Sequence, residues 1–556
     1  MLICKDDLVF GNNRQVIVLG GAKEFLYLNE RDNPVQMYFL GTLLGVDPKK
    51  LQVQSNYGNL FGRFFMLIHD MHNHRLIITN DRFGMIPFYY YISSTIIVFS
   101  SHLCKFIEHG FTDKIDEVAL SDMLAFNIPF GERTIYSGIS VLSGGISLAI
   151  DLTSFSLRKQ RTWEPADQLQ CANIPLQTVQ GQLVDLLLEG TEKATAGYSK
   201  VGVTLSGGID SRLLLAAGIH LGRNMEAYTT GIPGSRSLAY AKLMAEMCDV
   251  AHFAYPLGAK FLSLYGDIVK SNINLTEGMT FNSEAEAHWL CDHIPADRVM
   301  MHGAFAELYK ISHLHNYFFQ QKLTNLDQIS LAEAVWQRFT CRYGNRKIIF
   351  AEHLRNRLGD HARINLITAI TTYPADLKVS GWLQHLYINE FLSKVTRYSG
   401  YIWNEHVPTH FPFSYPPFVD LLLRVRSTDK VGLRFPLYFL QQINTKLANF
   451  PDANTGTKIG ASKILVELVH VRDWVSCRLF GSTLRYDHTD LASWLRYMEP
   501  PVTKRISDLL DDNNYNPQEI QKLGSSIYTN RSQQTADSLL LLLMFSMWMR
   551  GSKLHD

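Results

Sequence analysis

The rhythm of hydrophobic and polar positions changes between residues 165 and 179, and the change divides the chain in two. Up to residue 165, short apolar runs separated by closely spaced turn residues predict strands at 15–19, 64–69, 75–79, 88–92 and 96–99. That is the pattern of a layered β-rich domain. From about Val179 strands alternate with helices: a strand at 201–205, a helix at 212–221, a strand at 227–231 and a helix at 238–247. A further short strand at 298–301 ends in His302-Gly303. Such alternation predicts a parallel sheet. Beyond residue 330 the pattern is mostly helical, with proline-rich interruptions near 408–417. The apolar run 539–549 is too short to span a bilayer and predicts a buried C-terminal helix.

Composition narrows the possibilities. At 556 residues the chain exceeds a single core, so two domains or more are expected. Charged residues make up 19% and the net charge is +1, which gives no reason to expect a nucleic-acid partner. Seven scattered cysteines with no Cys-x-x-Cys pair fit a reducing compartment and argue against a zinc site. The N-terminus shows no basic segment leading into an apolar run of signal-peptide type. A cytoplasmic protein without a membrane span is expected.

The segment richest in chemistry is Val201-Gly202-Val203-Thr204-Leu205-Ser206-Gly207-Gly208-Ile209-Asp210-Ser211. A buried strand, a small-residue turn and a helix N-terminus make an anion cradle, because glycine lets the backbone approach a phosphate and the first helical N–H groups point at it. A carboxylate at Asp210 would repel a bare phosphate but suits Mg²⁺ bridged to phosphate oxygens. A magnesium nucleotide is the expected ligand, against the alternative of a ligand-free strand–helix turn. The Ser-Gly-Gly-x-Asp-Ser order resembles the pyrophosphate-binding loop of the ATP-pyrophosphatase superfamily and lacks the Gly-Lys-Ser/Thr ending of a P-loop.

Other segments extend the resemblance, in order, along nearly the whole chain. Leu60-Phe61-Gly62-Arg63-Phe64-Phe65 leads through to Asp70. Asp81-Arg82-Phe83-Gly84-Met85-Ile86-Pro87-Phe88-Tyr89-Tyr90 follows, then Phe99-Ser100-Ser101, Gly231-Ile232-Pro233-Gly234-Ser235 and the tail 540–550 with Trp548. Together they resemble the asparagine synthetase family. The resemblance implies a two-domain α/β protein. Residues 1–165 would form a layered β-rich, Ntn-amidotransferase-like domain. Residues 179–556 would form an ATP-pyrophosphatase-type parallel-sheet synthetase domain with extra helices.

The resemblance also implies that the first domain is silent. Glutamine-hydrolysing members begin Met-Cys-Gly, whereas this chain begins Met1-Leu2-Ile3-Cys4-Lys5 and lacks the family's glutamine-binding segments. Relatives that close a ring within one substrate need no ammonia. β-Lactam synthetases, carbapenam synthetases and lasso-peptide cyclases share this arrangement. The implied reaction is adenylation of a substrate carboxylate by ATP, with loss of pyrophosphate and displacement of AMP by an amine. Ring closure on a peptide's Asp or Glu side chain, alongside biosynthetic partner proteins, is the leading expectation. Ammonia-dependent asparagine synthesis and a catalytically silent scaffold are the alternatives.

Within that scheme Leu205, Ser206, Gly207, Gly208 and Ser211 would hold the nucleotide and Asp210 the Mg²⁺. Thr230 and Gly231, at the end of the next strand, would lie near adenine or ribose. In Met301-His302-Gly303-Ala304-Phe305-Ala306-Glu307, matching Gly303 to the family's first glycine puts Glu307 on its metal-binding acid. A gapless match puts Ala306 there instead. Lys458 falls where the family carries a lysine that stabilises developing negative charge, with a solvated loop lysine as the alternative. His302 is read either as a catalytic base or as a packing residue. Ser237 stands where the family often has Asp, a change the sequence alone does not explain. Glu405 and His406 precede Pro412-Phe413 and stand either on the substrate side or at a structural helix end.

Overall fold

The computed structural model describes residues 8–10, 14–19, 26–28, 33–52, 57–310, 325–343, 345–430, 433–453, 456–461, 465, 468–469, 491–496, 514–529 and 533–551. Cys4 lies outside them. The described strands form three sheets and give a two-domain α/β protein.

Two sheets build the first domain. One orders Leu8–Phe10, Arg14–Leu19, Ile96–Ser100, Tyr89–Ile92 and Ser140–Val141. The other orders Leu157–Arg161, Ile146–Asp151, Arg75–Asn80, Gly62–Asp70, Val35–Leu43 and Leu26–Tyr27, antiparallel throughout. The two-residue side-chain period explains why strand Gly62–Asp70 reads as continuously apolar. Phe65 and Leu67 enter the core between the sheets with Val16, Phe88, Phe99 and Leu148. Phe64, Met66 and Ile68 fill a second core with Met37, Phe39 and Tyr57. Strand Val35–Leu43 is not foreseen because its Gly41 reads as a breaker. That glycine adopts φ +111°, and a Cβ there would lie 2.1 Å from the Arg63 carbonyl oxygen. Strand Leu157–Arg161 escapes for a different reason: it is exposed at every position and has no apolar alternation to show.

The second domain carries a parallel sheet ordered Ala251–Pro256, Met225–Gly231, Val201–Thr204, Val299–Met301 and Thr409–His410. Successive strands first build outward from Val201–Thr204 on one side. The chain then returns to add Val299–Met301 on the other. This reversal makes a topological switch point, where a crevice opens at the carboxyl ends of the strands. Strand Thr409–His410 lies inside the proline-rich interruption and was not anticipated. The C-terminal helix Gln533–Gly551 is buried as its apolar run implies, with Leu539, Leu542, Leu543 and Met544 fully inaccessible. Among the described residues no helix is long and apolar enough to cross a membrane.

The domains share one core. Phe83 stacks 4.4 Å from Phe305, which sits beside the crevice loop, and 5.4 Å from Trp163. Arg82, almost fully buried, forks onto Asp420 at 2.6 and 2.9 Å, and Trp163 Nε1 donates to the same carboxylate at 3.0 Å. Asp81 accepts from the backbone N–H groups of Phe64, Phe83 and Met85, and its burial pushes its pKa up to about 6. The Asp-Arg-x-Gly signature therefore works as a domain joint in this chain.

Candidate active site

The crevice at the switch point opens into a cavity of about 810 Å³. Of the residues nominated from sequence, Leu205, Ser206, Asp210, Ser211, Thr230, His302, Gly303 and Glu307 line it together. Gly207, Gly208 and Gly231 stand behind this lining, and Lys458 is exposed and off it.

The helix after the loop runs Ile209–His220, three residues earlier than expected, with Gly208 as its N-cap. Asp210 consequently lies in the first helical turn, where a carboxylate is favoured by the helix dipole. Gly207 is required twice over. Its φ is +70°, and a Cβ would meet Ala453 Cβ at 3.0 Å and Tyr240 Cβ at 3.1 Å. Ser211 Oγ accepts from Ser206 N at 3.2 Å, and Ser237 Oγ donates to the Ser206 carbonyl. That bond accounts for Ser237: an aspartate in its place would turn a repelling oxygen on that carbonyl.

Arg212 locks the loop from behind. It is completely buried, and its guanidinium donates to the carbonyls of Gly207 at 3.0 Å, Phe450 at 2.7 Å, Pro451 at 2.8 Å and Leu447 at 3.3 Å. Ala453 N returns a bond to the Gly207 carbonyl at 3.2 Å. The hairpin that pairs Pro451 with Lys458 is thereby fixed against the loop, and Lys458 projects from it into solvent. Arg212→Met is expected to cost about 3 kcal/mol, since four guanidinium hydrogen bonds are lost at once, among them those to Phe450 and Pro451. Urea unfolding of the two proteins measures this; an unchanged midpoint would refute the locking role.

Two carboxylates face the cavity from opposite walls of the loop. Asp210 takes a hydrogen bond from the Tyr309 hydroxyl and an ion pair from Lys310 Nζ at 2.5 Å. Gly303 closes on it so tightly that an added Cβ would lie 3.3 Å from Asp210 Cβ. Glu307 Oε2 is buried and has no hydrogen-bond partner. Burial, and then the nearby Asp210 charge, raise the Glu307 pKa. Ala306 points instead into the core, fully inaccessible. An unpartnered buried carboxylate oxygen next to a second carboxylate is a donor set that suits a hard divalent cation.

His302 has a defined tautomer. Its Nδ1 accepts from Ala304 N at 3.1 Å, so the proton sits on Nε2. Burial lowers its pKa to about 4, and its ring packs against Trp403 and Phe411. A neutral imidazole with its free lone pair already engaged offers the cavity a donor, not a base.

Several residues escaped sequence reasoning. Tyr309 and Lys310 stand two and three residues beyond Glu307, and neither is given a role by the sequence. Arg338 enters the cavity from helix Gln328–Tyr343. Glu284 lines the cavity at the start of helix Ala285–Cys291 in a left-handed conformation, φ 45° and ψ 25°, and accepts from Ser399 Oγ at 3.1 Å. Burial pushes its pKa up to about 7, helped by the Glu286 charge. An ordinary glutamate before a helix gives no sequence signal; backbone strain beside a cavity does. Glu405 and His406 do not line the cavity.

No curated protein matches the chain. Residues 53–163 match the family model of a glutamine amidotransferase domain, and residues 182–358 match that of asparagine synthase. The second match indicates an ATP-dependent carbon–nitrogen ligase that forms AMP. Consecutive along one chain, the two matches support an asparagine synthetase-like family.

Proposed function

We propose that the protein adenylates a carboxylate on an extended, largely apolar substrate and closes an amide ring within it, as in macrolactam formation on a peptide's Asp or Glu side chain. The carrying observation is the cavity wall opposite the phosphate loop. Val335, Phe339, Leu383, Leu386, Phe391 and Val395 form it, around a π-helical turn at Tyr387–Leu392. Apolar walls of this kind bury apolar ligand surface, and free aspartate has none to offer.

In this reading the loop from Leu205 to Ser211 holds the nucleotide phosphates, with Gly303 packed against Asp210 and Thr230 and Gly231 on the nucleoside side. Asp210 and Glu307 would hold Mg²⁺, which when bound offsets charge on the departing pyrophosphate. His302 Nε2–H donates into the cavity. Lys310 pairs with Asp210 at the start of the loop helix, with Lys458 outside on the hairpin. Glu284 takes the proton from the attacking amine. A second reading, ammonia-dependent synthesis of asparagine, is favoured by one feature. Glu284 and Arg338 give the cavity a carboxylate and a guanidinium, which suit the charged groups of a free amino acid.

Exchange of labelled pyrophosphate into ATP separates these readings. Exchange stimulated by carboxylate-bearing peptides, and absent with aspartate, is expected. Exchange with aspartate, and amide formed only with added ammonium, would replace ring closure by the second reading. Failure with every carboxylate offered would overturn both.

A further inference from the structure

Helix Ala285–Cys291 and helix Ser393–His406 supply adjoining parts of the cavity wall and are joined there by the Glu284–Ser399 hydrogen bond. At their other ends, outside the cavity, a second cluster lies between them. His288, Asp292 one helical turn later, and His406 bring one donor atom each within 4.8 Å of one another. His288 Nε2 is 3.7 Å from Asp292 Oδ2, and His406 Nδ1 is 3.2 Å from Asp292 Oδ1. An ion bound tetrahedrally at ~2.0–2.1 Å from each ligand holds those ligands ~3.4 Å apart, so both separations straddle the expected edge.

The protonation pattern points the same way. Asn272 Nδ2 donates to the Ser283 carbonyl at 2.7 Å, which orients the amide so that its oxygen faces His288. His288 Nδ1 lies 2.6 Å from that oxygen and must carry the proton. Its Nε2 lone pair is left facing the Asp292 carboxylate, two acceptors with no hydrogen between them. Metal-bound histidines are held in this manner, the distal N–H donating to an oxygen that fixes ring and tautomer. His406 turns its Nδ1 to the same carboxylate. Asp292 is exposed, which gives an ion a path in. His406 ends a 14-residue helix, and the negative pole of that helix favours a cation.

We propose that His288, Asp292 and His406 form a binding site for a zinc-class divalent cation that ties the two helices together behind the active-site wall. Two imidazoles and one carboxylate, with a solvent-facing fourth position, match the preferences of Zn²⁺ and Co²⁺ over those of Mg²⁺. His406 lies too far along the chain from His288 and Asp292 for ligand spacing to announce the set.

Titrating the EDTA-stripped full-length protein with Co²⁺, followed by visible absorption, tests the proposal, with Zn²⁺ competition as a second measurement. One tight equivalent is expected in the unsubstituted protein. Asp292→Asn and His406→Gln, both at sites with solvent access, are expected to weaken it about 100-fold. Asp210→Ala, at the separate nucleotide site, should leave it intact. A protein that binds neither ion, or binding that survives unchanged in both cluster variants, overturns the site. Circular dichroism of the variants guards against a loss caused by unfolding.

Discussion

Asp210→Ala is expected to lower ATP–pyrophosphate exchange by about 10³-fold, the scale seen when a preorganised charge-stabilising group is lost. The argument rests on what Asp210 faces. Its carboxylate projects from the first turn of the loop helix into the cavity, beside a second carboxylate with an unpartnered buried oxygen. Two carboxylates beside the phosphate cradle resist close approach of a polyphosphate unless a divalent cation lies between. Removing Asp210 therefore removes a ligand while leaving the loop and its helix N-terminus in place, so ATP affinity should fall far less than the exchange rate. Asp210→Asn keeps the shape and should behave like the alanine variant. Exchange retained within a factor of three in both would show that the carboxylate is not part of the adenylating machinery.

The loop was the most legible part of this chain because its demands are local. A strand, a positive-φ glycine and a helix start are all written within eleven residues, and the structure moves only their bounds, the strand end from 205 to Thr204 and the helix start from 212 to Ile209. The strand positions of the first domain were legible for a similar reason, since apolar runs and turns recur at short range. What could not be read depends on contacts across the fold. Ser237 looked like an unexplained departure until its hydroxyl was found on the Ser206 carbonyl, 31 residues away. The register of Glu307 against Ala306 was ambiguous by motif, yet burial separates them: Ala306 is in the core while Glu307 reaches the cavity. Lys458 matched by position along the chain, but it is exposed on a hairpin while Lys310 is the lysine that pairs with Asp210. The close union of the two domains was not legible either, and the Phe83–Phe305 contact gives its physical basis, because the crevice loop packs on the first domain.

Glu284→Gln is expected to lower amide formation by about 10³-fold, within the range of a lost general base, while leaving pyrophosphate exchange nearly untouched. Adenylation needs no proton acceptor at the amine; ring closure does. A carboxyl with a pKa of about 7 is half ionised at neutral pH, so amide formation by the unsubstituted protein should rise with pH through about 7 and then level. The glutamine variant should lose that limb. Stability gives an independent check with a definite sign. The Glu284 pKa is raised above its unfolded value of 4.5, so the folded state binds more protons between pH 4.5 and about 7. Stability contributed by the protonated form is present below pH 4.5 and is lost as pH rises through about 7. Glutamine carries no such penalty, so the variant should melt above the unsubstituted protein at pH 8 and close to it at pH 4.5. A strained, buried carboxylate kept at a stability cost beside a cavity is the mark of a working group. Parallel loss of exchange and amide formation would instead make Glu284 a support for the wall, bonded to Ser399 and remote from the proton.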